Sequence, residues 1–188
     1  MSESDAVPRW WVVEGAKADL TGTPDEELLI ELFDELRSPV LRYLLSLGLA
    51  VEDGEEVIQE AFLALFEHLR SGKSRRNLRG WIFRVAHNAG LKRRMAAKRQ
   101  ASNADVDELA AKYIAPGDNP EQQLLTSQRQ QRLEAILRAL PDRDRWCLAL
   151  RAEGLSYREI ADILGMSLGS VAASLARSLG RFSRADGG

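Results

Sequence analysis

Val57, Ile58, Ala61, Phe62, Leu65 and Leu69 recur at spacings of three and four residues, and no stretch of the chain offers a strand candidate of comparable strength. An apolar stripe of that period has to close against other helices, so the chain is expected to be all-α. Similar stripes run through Leu28, Leu29, Leu32, Phe33 and Leu36, and through Leu78, Trp81, Ile82, Val85 and Ala89. Thr23, Pro24 and Glu26 supply an N-cap, a proline at the first helical position and the acid of a capping box, so a helix should open there. Pro39 is expected to kink or restart it, because proline lacks the N–H that the preceding turn would use. The continuation, Val40 to Leu47, should stop at Gly48, and Glu52 and Asp53 suit the first turn of the next helix. Ser71 to Asn77 reads as a basic loop.

Beyond about Gln100 the apolar period fades, and Asn119, Pro120 and Gln122 carry the signals that restart a helix. Pro141 to Phe182 divides into three helices: Ser156 and Glu159 form a capping box for the middle one, Gly165 breaks the chain, and Ser167 can cap the last. The expected architecture is two small helical domains joined by a flexible linker, the second domain a helix-turn-helix. Its segments are an N-terminal extension over 1–24, a first domain over 25–99, a linker over 100–119 and a second domain over 120–188.

Several classes of protein are excluded by composition. With 45% hydrophobic residues the chain has enough apolar surface to fold, yet it contains no run of roughly 18 uncharged apolar residues that could cross a membrane. The single cysteine, Cys147, cannot build a disulfide framework and fits a reducing cytosol. No basic stretch followed by an apolar run near the N-terminus marks export, so a cytoplasmic location is expected. His68 and His87 stand too far from other ligand-type residues for a metal site, and no phosphate loop, nucleophile elbow or poised carboxylate pair is present. A binding protein with no cofactor is therefore expected rather than an enzyme.

The formal net charge of −2 averages over blocks of opposite sign. Residues 25–67 hold twelve acids against Arg37 and Arg42, whereas residues 70–99 hold eleven bases and no acid. Blocks this one-sided suggest two binding surfaces of opposite preference, the alternative being that they pair with each other. Within the acidic block, Glu56, Gln59 and Glu60 form a compact patch suited to a basic helical partner. Within the basic block, Arg84, Asn88 and Lys92 lie at spacing four, with Arg79, Phe83, His87 and Arg94 close by, although Phe83 fits the core equally well. Cations neutralise phosphates, and an amide or an aromatic face can hold a base that has left the stack. In the second domain, Ile160, Ala161, Ile163 and Leu164, then Gly165-Met166, then Val171, Leu175, Leu179 and Phe182 have helix-turn-helix spacing. Ser167, Ser170, Ser174 and Arg177 are expected off its core face and suited to DNA, while Ala172, Ala173 and Ala176 leave that face poor in cations.

Longer motifs appear in the order acidic helix, basic aromatic helix, linker, helix-turn-helix. They are Asp53-Gly-Glu-Glu-Val-Ile-Gln-Glu-Ala-Phe62, Leu78-Arg-Gly-Trp-Ile-Phe-Arg-Val-Ala-His-Asn88, Leu140-Pro141, Glu153-Gly-Leu-Ser-Tyr-Arg-Glu-Ile-Ala-Asp-Ile-Leu-Gly165 and Ser167-Leu-Gly-Ser-Val171. Over roughly 25–183 the chain resembles bacterial RNA polymerase sigma factors of the extracytoplasmic-function group of the sigma-70 family. The resemblance implies a dissociable transcription initiation factor that brings core polymerase to promoters with −35 and −10 elements and assists their melting. It implies that Glu56, Gln59 and Glu60 dock on the clamp helices of the largest polymerase subunit. It assigns −10 contacts to Arg75, Arg76, Asn77, Arg79, Arg84, Asn88 and Lys92. For the −35 element the candidates are Arg158, Ser167, Ser170, Ser174, Arg177 and Arg181. The resemblance also implies that the linker threads polymerase channels and that an anti-sigma protein is a further partner.

Where relatives carry lysine or arginine in the recognition helix, this chain has Ala172, Ser174 and Leu179, and each lost phosphate contact flattens the salt dependence of binding by about one unit of slope. Two alternatives stay open: a helix-turn-helix regulator acting without polymerase, and a sigma-like protein-interaction module. The cluster Trp10-Trp11-Val12-Val13 falls outside the resemblance and is expected to pack on the first domain or bind a regulator.

Overall fold

The computed structural model describes residues 23–101, 131 and 133–186, and among these every regular element is a helix. The elements are α1 (Pro24–Ser46), α2 (Val51–Arg70), α3 (Leu78–Ala101), α4 (residues 133–139), α5 (Asp142–Ala152), α6 (Tyr157–Leu164) and α7 (Leu168–Asp186). The Trp10–Val13 cluster, most of the linker and the restart at Asn119 lie outside the described residues.

The capping box expected at α1 is formed: the Thr23 N–H donates to Glu26 at 2.9 Å, and the Glu26 N–H donates back to the Thr23 hydroxyl at 3.4 Å. Pro39, however, does not restart the helix, which continues to Ser46. Leu36 before the proline and Val40, Tyr43 and Leu44 after it are all buried against the same core, so packing carries α1 across the missing hydrogen bond. Gly48, at φ +91°, turns the chain toward α2 in a conformation that glycine adopts without a Cβ penalty.

The stripe on α2 is fully inward, with Val57, Ala61 and Leu65 at 0% exposure. It packs on α1 and α3, and Phe62 meets Phe33 edge-on with ring centroids 5.0 Å apart. On α3 the inward residues include Ile82, Phe83, Ala86 and His87. His87 therefore belongs to the core and not to the basic flank where its spacing placed it, and Phe83 takes the core position of the two that were open to it. Both are buried because α3 is covered on two sides, by α1 and α2 and also by α6 of the second domain.

The second domain closes Cys147, Leu150, Leu155, Ile160, Ile163, Val171 and Leu175 into a core continuous with that of the first. Ser156 and Glu159 form the capping box of α6, Gly165 is left-handed at φ +61°, and α6 and α7 meet at 104°. That angle is the helix-turn-helix geometry.

His87 sits at the junction of the two domains. Its Nδ1 shares a 2.7 Å hydrogen bond with the Tyr43 hydroxyl, and its ring meets Trp146 of α5 edge-on at 5.4 Å. Burial lowers the His87 pKa from 6.5 to about 4 and pushes that of Tyr43 up, so both rings are neutral at pH 7. A histidine held neutral contributes stability that is complete above pH 6.5 and is lost as the pH falls toward 4. Unfolding free energy should therefore drop by about 3 kcal/mol across that interval, measured by urea titration at a series of pH values, and His87→Phe should flatten the profile.

Candidate nucleic-acid and protein interfaces

Because the α2 stripe faces inward, Glu56, Gln59 and Glu60 are turned to solvent, the two carboxylates at 62% and 57% side-chain exposure. Arg93 reaches across from α3 and sits among them, bonded to Glu56, to Glu60 at 2.7 Å and to Asp53 at 3.4 Å. The hydrogen bond to Glu56, then that to Glu60, raises the Arg93 pKa and fixes its charge. Three carboxylates around one guanidinium leave the patch net acidic while holding its side chains in place. The opposite charge blocks thus do both things weighed from sequence: they pair at Arg93, and they present separate surfaces elsewhere. Arg93 was missed as a member of this patch because it lies more than thirty residues along the chain from its partners.

Arg84, Asn88 and Lys92 follow the outer face of α3, all exposed and, among the described residues, without an ion pair or side-chain hydrogen bond. Asn88 and Lys92 share a shallow depression of about 510 Å³ with Glu60, Val85, Ala89 and Arg93. Acidic patch and basic line therefore meet along one edge. Arg76 is also exposed at the end of the basic loop. His68 helps to shape that loop, with its Nε2 2.8 Å from the Ser74 carbonyl oxygen and its ring stacked obliquely on Trp81 at 4.9 Å. No spacing in the sequence pointed to this contact.

The remaining basic candidates have internal work. Arg75 pairs with Asp25. Asn77, at φ +52°, accepts the Gly80 N–H at 3.1 Å and so caps α3. A Cβ at position 80 would come within 2.6 Å of the Asn77 amide nitrogen, which accounts for the glycine. Arg79 donates to the Glu153 carbonyl and lies 3.5 Å from Glu35. Arg94 pairs with Asp142 at 2.9 Å and lies over the Trp146 ring, while Arg42 holds the Glu153 carboxylate with bonds of 2.9 and 2.6 Å. Basic residues of the first domain thus grip acids of the second.

On the helix-turn-helix, Ser167 accepts the Ser170 N–H at 3.1 Å at the exposed start of α7, and Arg158 is exposed on α6. Ser174 requires correction: it faces the core at 0% exposure and donates to Asp144 at 2.6 Å. The reason is Asp144, a buried carboxylate that needs donors. Burial pushes its pKa up, and Arg177 with Ser174 outweigh this and hold it below the usual range. Arg177, bonded to Asp144 at 2.8 Å, remains 59% exposed, and Arg181 donates to the Ala139 carbonyl at 3.1 Å. The exposed face of α7 is left with Ser170, Ala172, Ala173 and Ala176, together with the half-tethered arginines. Among the described residues there is no cluster of three metal-ligating side chains, and no single helix is long and apolar enough to cross a membrane.

Comparison with known proteins finds sigma-70 region 2 over residues 32–100 and sigma-70 region 4 over residues 130–182. The ECF RNA polymerase sigma-E factor of Escherichia coli K12 is 29% identical over 158 residues, covering 80% of each chain. RNA polymerase sigma factor YlaC of Bacillus subtilis is 29% identical over 150 residues, covering 79% of this chain and 86% of the relative. Among solved structures, the sigma factor RpoE of Bartonella quintana, in complex with the anti-sigma factor NepR, shares the fold with a TM-score of 0.64 at 22% identity. It covers 85% of this chain and 96% of its own. CnrH, in complex with the cytosolic domain of CnrY, gives a TM-score of 0.55 at 21% identity, covering 84% of this chain and 86% of its own.

The burial of Ser174 has a measurable consequence. Ser174→Ala should lower the stability of the chain by about 1–2 kcal/mol in urea denaturation, since Asp144 loses a donor inside the core. A variant as stable as the parent would show that the hydroxyl does not hold Asp144.

Proposed function

The chain belongs to the extracytoplasmic-function group of the sigma-70 family and is a transcription initiation factor; from that premise we propose which surfaces carry each step. Glu56, Gln59 and Glu60 dock on basic residues of the clamp helices of the largest polymerase subunit. The observation that carries this is the Arg93 network: it holds an acidic patch in a fixed shape directly beside the exposed Arg84, Asn88 and Lys92 line. A docked polymerase would then lie alongside the −10 DNA. Arg84, Lys92 and Arg76 neutralise phosphates, and Asn88, beside an open depression, holds a base extruded from the −10 element. Extrusion costs a few kcal/mol of unstacking, which such contacts must offset.

Engagement of the −35 element rests on Ser167, Ser170, Arg158 and Arg177 at the exposed end of the helix-turn-helix. With so few cations, this contact is weaker and less salt-dependent than that of the first domain. Arg75, Asn77, Arg79 and Arg181 support the fold in the closed arrangement and reach DNA only if their present partners are given up. The chain acts in the cytoplasm, catalyses nothing itself and requires no cofactor. An anti-sigma protein is a further partner, supported by the structural neighbour RpoE, which is bound to the anti-sigma factor NepR. A regulator working without polymerase would have no use for region 2, which sets that alternative aside.

Two experiments test these assignments. Replacing Gln59 and Glu60 by alanine should abolish co-purification with core polymerase while helicity by circular dichroism is unchanged, and retained co-purification would sink the docking assignment. Asn88→Ala should reduce permanganate reactivity of unpaired promoter thymines by about tenfold, the equivalent of one good polar contact, while capture of duplex promoter DNA is nearly unaffected. Equal losses in both assays would count against a base-holding role.

A further inference from the structure

A groove of about 750 Å³ runs between the C-terminal end of α1 and the face formed by α4, α5 and α7. Leu45, Leu137, Leu148 and Phe182 line it with apolar surface, and the four arginines at its rim are already paired, Arg42 with Glu153, Arg94 and Arg145 with Asp142, and Arg138 with Glu134. Its size lies within the range of about 300–1,000 Å³ that takes up a compact apolar group. Leu133, on its α4 side, is 42% exposed. The groove spans the two domains, so whatever fills it touches both.

The same chain contains an unassigned segment of matching chemistry. Trp10, Trp11, Val12 and Val13 make four consecutive apolar residues within 1–22, a stretch that holds Glu3, Asp5, Glu14 and Asp19 against Arg9 and Lys17. We infer that this cluster seats in the interdomain groove, its tryptophans against the leucines and Phe182. The reach is sufficient. From Pro24 to Leu45, α1 covers about 33 Å at 1.5 Å per residue. From Thr23 back to Trp11 is twelve residues, which extend to about 40 Å. A segment returning along α1 therefore arrives at the groove with little slack, and tethering gives it an effective concentration in the millimolar range. So placed, the N-terminal segment is an intramolecular clasp: it adds apolar contact across the junction that Arg42–Glu153, Arg94–Asp142 and His87–Trp146 already bridge.

The test uses the full chain with Cys147→Ala, carrying Val13→Cys and Leu133→Cys, treated with a short bis-maleimide. An adduct within one chain should accumulate and fall by about tenfold when Trp10 and Trp11 are both replaced by alanine. A matched chain with Leu63→Cys, on the outer face of α2, should give little adduct. Should the cysteine variants fail to fold, leucine methyl spectra of the otherwise natural chain give the same answer. There, Trp10→Ala with Trp11→Ala should move the Leu137 and Leu148 resonances and leave Leu63 in place. Adducts formed only between chains, equal yields at Leu63 and Leu133, or leucine methyls unmoved by the tryptophan changes would each overturn the inference.

Discussion

Burial of the α2 stripe between α1 and α3 constrains the other features of the first domain. Once Val57, Ile58, Ala61, Phe62 and Leu65 point into the core, helical geometry leaves Glu56, Gln59 and Glu60 no direction but outward. The partner helix α3 must turn Ile82, Phe83 and Ala86 toward that same core, which sends Arg84, Asn88 and Lys92 to the opposite surface. Two exposed faces of opposite charge are thus by-products of a single packing arrangement. Arg93 then ties them together, since its guanidinium on α3 holds carboxylates on α2. A change in how α2 packs would alter both faces at once.

The second domain depends on a different device. Asp144 is a carboxylate within a helical core, and Ser174 and Arg177 of α7 exist in their present places to satisfy it. This fixes α7 on α5, but it withdraws a hydroxyl and partly withdraws a cation from the DNA-facing side. The economy of charge across the junction is similar: Arg42, Arg79 and Arg94 are engaged by Glu153 and Asp142, so the closed arrangement uses cations that DNA would otherwise attract. The imbalance seen in the charge blocks, a basic 70–99 segment in the first domain and a cation-poor exposed face on the helix-turn-helix, therefore persists in three dimensions.

Local grammar was legible and long-range pairing was not. The boxes at Thr23–Glu26 and Ser156–Glu159, the left-handed Gly165, the α2 stripe and the exposure of Glu56, Gln59, Glu60, Arg84, Asn88 and Lys92 all follow from spacing and residue type. Pro39 does not restart the helix because propensity yields to tertiary packing on both sides of it. His87 was misassigned, and Phe83 left open between flank and core, because helical spacing describes a helix buried on one side, and α3 is covered on two. Ser174 gave no sign of burial, since nothing in its own neighbourhood announces an aspartate thirty residues away. Arg93 and His68 were invisible for the same reason: their partners come from other helices or loops.

The central claim is that one chain couples polymerase docking to promoter opening through adjacent faces of α2 and α3. Run-off transcription with purified core polymerase on genomic fragments tests it most directly. The account predicts discrete transcripts that depend on the chain, with mapped starts downstream of a shared −10 element and a more loosely shared −35 element. Transcription no greater than that of core polymerase alone would contradict it.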